Sequence, residues 1–267
     1  MDYALYELRV SDLKKCLFRQ HLLRMVRSRH ATIAVLGFGS VGLQLSLAFA
    51  KAGFECIGVE VDSKRVLAAN SGNIPGVDGA TNRLLRKCLR EGKLRVGTKI
   101  TLDENGPDFV AITLPTPITR DGTPDVSFLK ATCTRLSHEN LRRKCVILES
   151  SVYPGVTRNI VKPLLEERGY RAGVDFGLVH SPERIDLNNP DFPMERIPKL
   201  VGGIDEASTE VASALYSAVL EARVVRVHSA EIAEAAKMLE NTFRFVNICL
   251  INCLLYTSPS PRDRTRS

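Results

Sequence analysis

The 267-residue chain has no tryptophan and only 6% aromatic residues, too few to build the interleaved aromatic platforms on which single-stranded nucleic acids stack. It also lacks a C-x-x-C pair and any disulfide framework. Cys16, Cys56, Cys88, Cys133, Cys145, Cys249 and Cys253 form an odd set, which reads as reduced thiols in a cytoplasmic protein. No histidine has a metal-ligand spacing, so no metal is expected. Cys249 and Cys253, four residues apart on one helix pattern, read as buried small hydrophobes. No apolar run approaches the roughly 20 residues of a membrane helix. The best, Val246 to Leu255, is broken by Asn247 and Asn252, so the reading excludes a spanning segment and expects no membrane partner. The N-terminal stretch has no continuous apolar core before a cleavage site and makes a poor signal peptide.

Charge is scarce in the middle of the chain. The formal net charge is +7, but residues 1–30 hold seven basic against three acidic residues and residues 254–267 three against one. That leaves +1 for the intervening 223 positions. With the charge confined to the termini and no reader motif present, nucleic-acid binding is set aside.

What is there, 44% apolar and 25% charged residues with 18 Gly and 13 Pro, is the composition of an ordinary globular domain. Residues 1–30 read as a basic N-terminal extension, a solvated helix with Leu5, Leu8, Leu13 and Leu17 at loose helical spacing. From Ala31 strands alternate with helices. Strands are expected at 33–36, 55–61, 109–114, 145–148, 176–180 and 224–227. Helices are expected at 41–52, 63–70 (from a Ser63 cap), 81–91, 125–140, 156–168, 207–220 and from Ala230 onward. This rhythm calls for a doubly wound α/β fold, a parallel sheet covered on both faces. The domain is expected over 31–229, the start of a long helix over 230–253, and a disordered or non-native tail over 254–267.

Gly37-Phe38-Gly39-Ser40-Val41-Gly42 follows the first strand and opens a helix, and Glu60 ends the second strand 23 residues after Gly37. Gly37 permits the tight turn, Gly39 lets the backbone approach a pyrophosphate, Gly42 lets helix and strand pack, and the helix N-terminus offers N–H groups to phosphate. The Glu60 carboxylate suits ribose hydroxyls and repels a 2′-phosphate, favouring NAD over NADP. Arg65 has two readings, stacking on adenine or receiving a 2′-phosphate.

Six further segments are distinctive: Leu114-Pro115-Thr116-Pro117, Pro124-Asp125, Glu149-Ser150-Ser151-Val152-Tyr153-Pro154-Gly155, Ser181-Pro182-Glu183-Arg184, Ile197-Pro198-Lys199-Leu200-Val201-Gly202-Gly203 and Ala236-Lys237-Met238-Leu239-Glu240-Asn241-Thr242. With the glycine loop, they resemble in identity and order the N-terminal part of the UDP-glucose/GDP-mannose dehydrogenase family, nearest its UDP-N-acetyl-glucosamine and UDP-N-acetyl-mannosamine branch. The resemblance covers roughly Ala31 to Cys253. It implies a Rossmann NAD-binding domain followed by the start of a central dimerisation helix, with the C-terminal UDP-binding domain absent. It also implies oxidation of the sugar C6 hydroxymethyl to a carboxylate in two NAD-dependent steps, and a homodimer for the full-length protein. UDP-glucose as substrate and a non-catalytic NAD-binding module are the alternatives.

By that resemblance Lys237 stands beside the reacting oxygen and Asn241, one turn on, helps hold it. A lysine and an amide on the inward face of an apolar helix are costly unless they serve a site; alone they would read as a snorkelling lysine and a surface amide. Glu183 matches a general base or water-orienting group and, with Arg184, lines the sugar pocket; alone it would read as a loop carboxylate paired with Arg184. Ser151 stands where Thr is usual and keeps the hydroxyl that holds a water. Thr116 falls on the nicotinamide side, with the plainer reading of a turn residue, and Glu149 is a further cofactor-binding candidate. Asp186-Leu187-Asn188 departs from the usual Asp-Pro-Gly. None of the seven cysteines has the Gly-Gly-x-Cys context of the family nucleophile. The string after Cys253 looks like translated adapter or vector sequence, so the expectation is a reading frame cut short, inactive as it stands.

Overall fold

A computed structural model describes residues 3–184 and 194–257, with side chains from residue 11 on. Asp186-Leu187-Asn188 and the tail beyond Thr257 lie outside the described residues. The chain begins with helix α1 (Tyr3–Arg27) and then alternates. The elements are β1 (Thr32–Leu36), α2 (Ser40–Lys51), β2 (Glu55–Val59), α3 (Ser63–Asn70), α4 (Gly79–Arg90), β3 (Leu94–Gly97), β4 (Phe109–Ile112), α5 (Ser127–Ser137) and β5 (Cys145–Leu148). A π-helical turn (Thr157–Val161) runs into α6 (Lys162–Glu166), followed by β6 (Gly177–His180), β7 (Lys199–Gly203), α7 (Glu206–Ser217), β8 (Val224–Arg226) and α8 (Ala230–Thr257).

The eight strands form one sheet in the order β3-β2-β1-β4-β5-β6-β7-β8. Strands β1 to β6 are parallel, with Ile33 opposite both Cys56 and Phe109. The expectation of a purely parallel sheet needs correcting at one pair, because β7 runs antiparallel to β6 through Val179–Gly203 and His180–Gly202. Strands β3 and β7 went unread in the sequence. Leu-Arg-Val-Gly and Lys-Leu-Val-Gly-Gly are short and end in glycine, a weak strand signal.

Alternate residues of β1 feed two apolar layers. Ile33 and Val35 meet α2 (Leu43, Leu45, Phe49) and α7 (Val211, Leu215, Tyr216) on one face. Ala34 and Leu36 meet α5 (Leu129, Cys133, Leu136) and Val156, Val161 and Leu165 on the other. The period of two along each strand dictates this double layer.

Three sequence expectations change. First, α1 is not a solvated helix: Phe18, Leu22, Leu23 and Val26 sit in the first layer with α7, while Leu13 and Leu17 face outward. Lys15–Asp205 (2.7 Å) and Arg19–Glu210 (2.5 Å) rim that contact. Second, α3 is capped by Asp62, whose carboxylate accepts from the Lys64 N–H at 2.9 Å, rather than by Ser63. Third, α8 continues through Thr257, so residues 254–257 are helical and not tail. This helix is also long and apolar enough, by length and composition, to cross a membrane, which the sequence reading had excluded. Its burial ends early. Ala230, Ala233, Glu234 and Lys237 are buried, whereas Leu239, Phe243, Phe245, Val246, Ile248, Leu250, Ile251, Leu254 and Leu255 are exposed. Cys249 and Cys253 are exposed as well, not buried as the sequence suggested, because nothing among the described residues packs on this part of the helix.

Candidate active site

The carboxyl ends of β1, β2, β4 and β5 open onto a cleft of about 870 Å³, the place where doubly wound sheets bind ligands. Gly37 follows β1 at φ +99°, and its carbonyl accepts from the Thr113 hydroxyl at 2.7 Å. A Cβ at Gly42 would collide with the Gly37 carbonyl oxygen, so a residue without one is required where α2 crosses β1. A Cβ at Gly39 would meet nothing within 4 Å, which leaves its backbone open to the cleft. Helix α2 then starts at Ser40 with no side chain capping it, so its first N–H groups stay available to an anion. These features fit a dinucleotide pyrophosphate.

Phe38 takes a different role from the one its place in the glycine loop suggested. Its ring is buried against β2, where a Cβ on Gly58 would strike it. Only its backbone serves the loop: the Phe38 N–H donates to Glu60 Oε2 at 3.2 Å and its carbonyl accepts from Arg65 Nε at 2.7 Å. Gly58, a lone glycine in an apolar strand, was the available signal. Glu60 Oε1 accepts from the Asp62 N–H at 3.2 Å. Each carboxylate oxygen keeps a second lone pair for a ribose hydroxyl.

Of the residues singled out from sequence, Gly37, Gly39, Ser40, Val41, Glu60, Arg65, Thr116, Glu149, Ser151 and Glu183 border the cleft, with Thr113, Phe128, Thr132 and Arg135 beside them. Phe38 and Gly42 are buried behind it. At the β4–β5 end the Thr116 hydroxyl donates to the Ser151 carbonyl at 2.6 Å and the Ser150 hydroxyl to Leu114 at 2.7 Å, tying the two loops together.

Glu149 borders the cleft, yet both its carboxylate oxygens are engaged from below, Oε2 by Lys199 and Oε1 by the Tyr216 hydroxyl. All three side chains are buried. Burial and the adjacent Glu149 charge push the Tyr216 hydroxyl well above its usual pKa. His180, fully buried nearby, has neither ring nitrogen hydrogen-bonded among the described residues. Burial, aided by the Lys199 charge, drives its pKa down to about 3 and keeps the ring neutral. Sequence reasoning missed this group because Lys199 and Tyr216 lie 50 and 67 residues from Glu149.

Helix α8 meets the loops beside the cleft through four consecutive charged contacts. Glu231 binds Arg158. Glu234 accepts from the Gly155 N–H (2.6 Å), the Thr157 N–H (2.8 Å) and the Thr157 hydroxyl (2.6 Å), its pKa raised by burial. Lys237 Nζ lies 3.4 Å from Glu183 Oε1, and Arg184 makes two hydrogen bonds to Glu240, at 3.1 and 2.9 Å. Glu183 therefore turns to Lys237 and Arg184 to Glu240, instead of to each other. Lys237 is buried, as a snorkelling lysine would not be. Asn241 departs from the expected inward face: it is exposed, one turn past the last buried residue of α8. Lys237, Asn241 and Arg184 do not border the cleft itself. Among the described residues no three His, Cys, Asp or Glu side chains are grouped to hold a metal.

Comparison with known proteins bears on this site. Residues 31–220 match the UDP-glucose/GDP-mannose dehydrogenase family, NAD binding domain. Among curated relatives, a UDP-N-acetyl-D-mannosamine dehydrogenase of Pyrococcus horikoshii is 33% identical over 220 residues, covering 82% of this chain and 52% of its own length. A UDP-N-acetyl-D-glucosamine 6-dehydrogenase of Salmonella typhi is 31% identical, covering 82% and 51%. Among solved structures, the NDP-N-acetyl-D-galactosaminuronic acid dehydrogenase of Methanosarcina mazei Go1 superposes with a TM-score of 0.76 at 34% identity, covering 88% of this chain and 52% of that one. The chain spans about half the length of the curated relatives it matches.

Proposed function

The chain belongs to the UDP-glucose/GDP-mannose dehydrogenase family, and from that premise we propose that it supplies the NAD-binding half of a UDP-N-acetylhexosamine 6-dehydrogenase. The observation that carries the cofactor assignment is the uncapped α2 N-terminus behind Gly39, with Glu60 beside it. NAD, when bound, would accept the electrons of each of two successive oxidations at the sugar C6. The chain's own residues then divide the remaining work. Gly37 to Val41 cradle the pyrophosphate, Glu60 and Arg65 take the adenosine side, and Thr116, Glu149 and Ser151 border the nicotinamide side. Lys237, buried and paired with the partly exposed Glu183, stabilises the oxygen from which the alcohol proton leaves. Glu183 and Ser151 orient a water, Arg184 and Asn241 contact the sugar nucleotide, and exposed Asn241 would be covered by that ligand or by the surface that packs on α8. The acetylated-sugar assignment is supported by the names of the relatives above.

A second reading is a non-catalytic NAD-binding module. It is favoured by the family match itself, which over residues 31–220 is to an NAD binding domain. The two are separated by measuring NAD binding and NADH formation together, with UDP-N-acetylglucosamine, UDP-N-acetylmannosamine and UDP-glucose in turn. Binding with about two NADH per acetylated sugar supports the dehydrogenase. Preference for UDP-glucose replaces the substrate, binding without turnover favours the module, and a folded chain that binds no NAD defeats both.

A further inference from the structure

Helix α5 divides its residues between two tasks. Leu129, Cys133 and Leu136 enter the core. Phe128, Ala131, Thr132 and Arg135, spaced i, i+3, i+4 and i+7, form one stripe, and all four border the cleft. Phe128 is 55% exposed although apolar. Arg135 is exposed and its guanidinium has no hydrogen-bonding or ionic partner among the described residues, whereas that of Arg65 is anchored on the Phe38 carbonyl.

Topology says which end of the cleft the stripe faces. Helix α5 links β4 to β5, and the segment containing α6 links β5 to β6, with both on the same face of the sheet. Right-handed crossovers place α6 on the β6 side of α5, and the two helices pack together. The free flank of α5 therefore looks toward β1 and β2, where Glu60 and Val61 leave the sheet and Arg65 follows in α3. Val61, 86% exposed, also borders the cleft. A phenyl ring, an isopropyl group and a guanidinium plane facing one space suit a flat purine base.

We propose that Phe128 and Arg135 form the second wall of the cofactor site and pack on the adenine of the ADP half. The proposal rests on the NAD reading above, and its test keeps the two apart. NAD and ADP-ribose are titrated by calorimetry into the wild-type chain, Phe128→Ala, Arg135→Ala and Arg135→Lys, with unliganded melting curves as the folding check. Both side chains are exposed, so melting should not move. Each alanine variant is expected to weaken NAD and ADP-ribose alike, by roughly tenfold. Arg135→Lys, which keeps the charge and loses the plane, is expected to fall with Arg135→Ala. Variants that bind like wild type, or a loss with NAD but not with ADP-ribose, would overturn the inference and leave the NAD reading standing. A wild-type chain that binds neither ligand overturns both.

Discussion

The two terminal helices invert what their sequences suggest. Helix α1 is rich in arginine and lysine, yet it lays Phe18, Leu22, Leu23 and Val26 into the core and rims them with ion pairs. Helix α8 is far more apolar, yet beyond Lys237 it leaves large hydrophobic side chains exposed around its circumference. Composition therefore does not decide burial; the available partner surface does. α1 has α7 beneath it, and α8 has the 155–158 and 183–184 loops only along its first turns. Among the described residues nothing covers this apolar surface, and exposed apolar surface of this extent favours association.

The comparison breaks most directly at the apolar contacts. Phe18→Ala or Leu22→Ala should cost about 2–5 kcal/mol in urea unfolding, since each leaves a cavity in a packed layer. Phe243→Ala or Ile251→Ala should stay within about 0.5 kcal/mol, while Ile251→Glu should reduce self-association in sedimentation velocity. Equal losses at both helices would end the contrast.

A smaller effect sits at the base of α8. Glu234→Gln, which leaves a buried N–H facing an amide nitrogen, should cost about 1–3 kcal/mol. Its pH signature has a definite sign. Burial raises the Glu234 pKa in the folded state, so folding takes up a proton and stability falls as pH climbs from the usual glutamate value through the raised one. The glutamine variant should lose that decline.

The smallest effect belongs to the rim of α1. Arg19 holds the Glu210 carboxyl below its usual pKa, chiefly through its hydrogen bonds. That contribution is complete above the ordinary glutamate value and disappears as pH falls through the depressed one. Arg19→Gln should therefore flatten acid unfolding by no more than about 1 kcal/mol, because the pair is solvent-screened. A larger loss would mean that the rim, not the apolar face, docks α1.

Legibility in the sequence follows contact distance along the chain. The β1–glycine loop–α2–β2 unit and Glu60 were readable because every part lies within about 30 residues and each glycine has a local steric reason. Helix α1 misled because its buried positions are flanked by Lys14, Lys15, Arg19 and Arg24, which reach Asp175, α7 or solvent while their neighbours pack. The Lys199–Glu149–Tyr216 group was hidden, since no local pattern links the end of β5 to the start of β7 and the last turn of α7. Asn241 was misplaced for the opposite reason: helical periodicity groups it correctly with Lys237, but it cannot say where along a helix the protein beneath comes to an end.

The central claim, that the glycine loop, the open α2 N-terminus and Glu60 make an NAD site, is tested most directly by calorimetric titration of the folded chain with NAD and NADP. The account predicts saturable binding of about one NAD per chain, weaker NADP binding, and loss of that preference in Glu60→Ala. A chain that is folded by circular dichroism and gives no heat of NAD binding would contradict it.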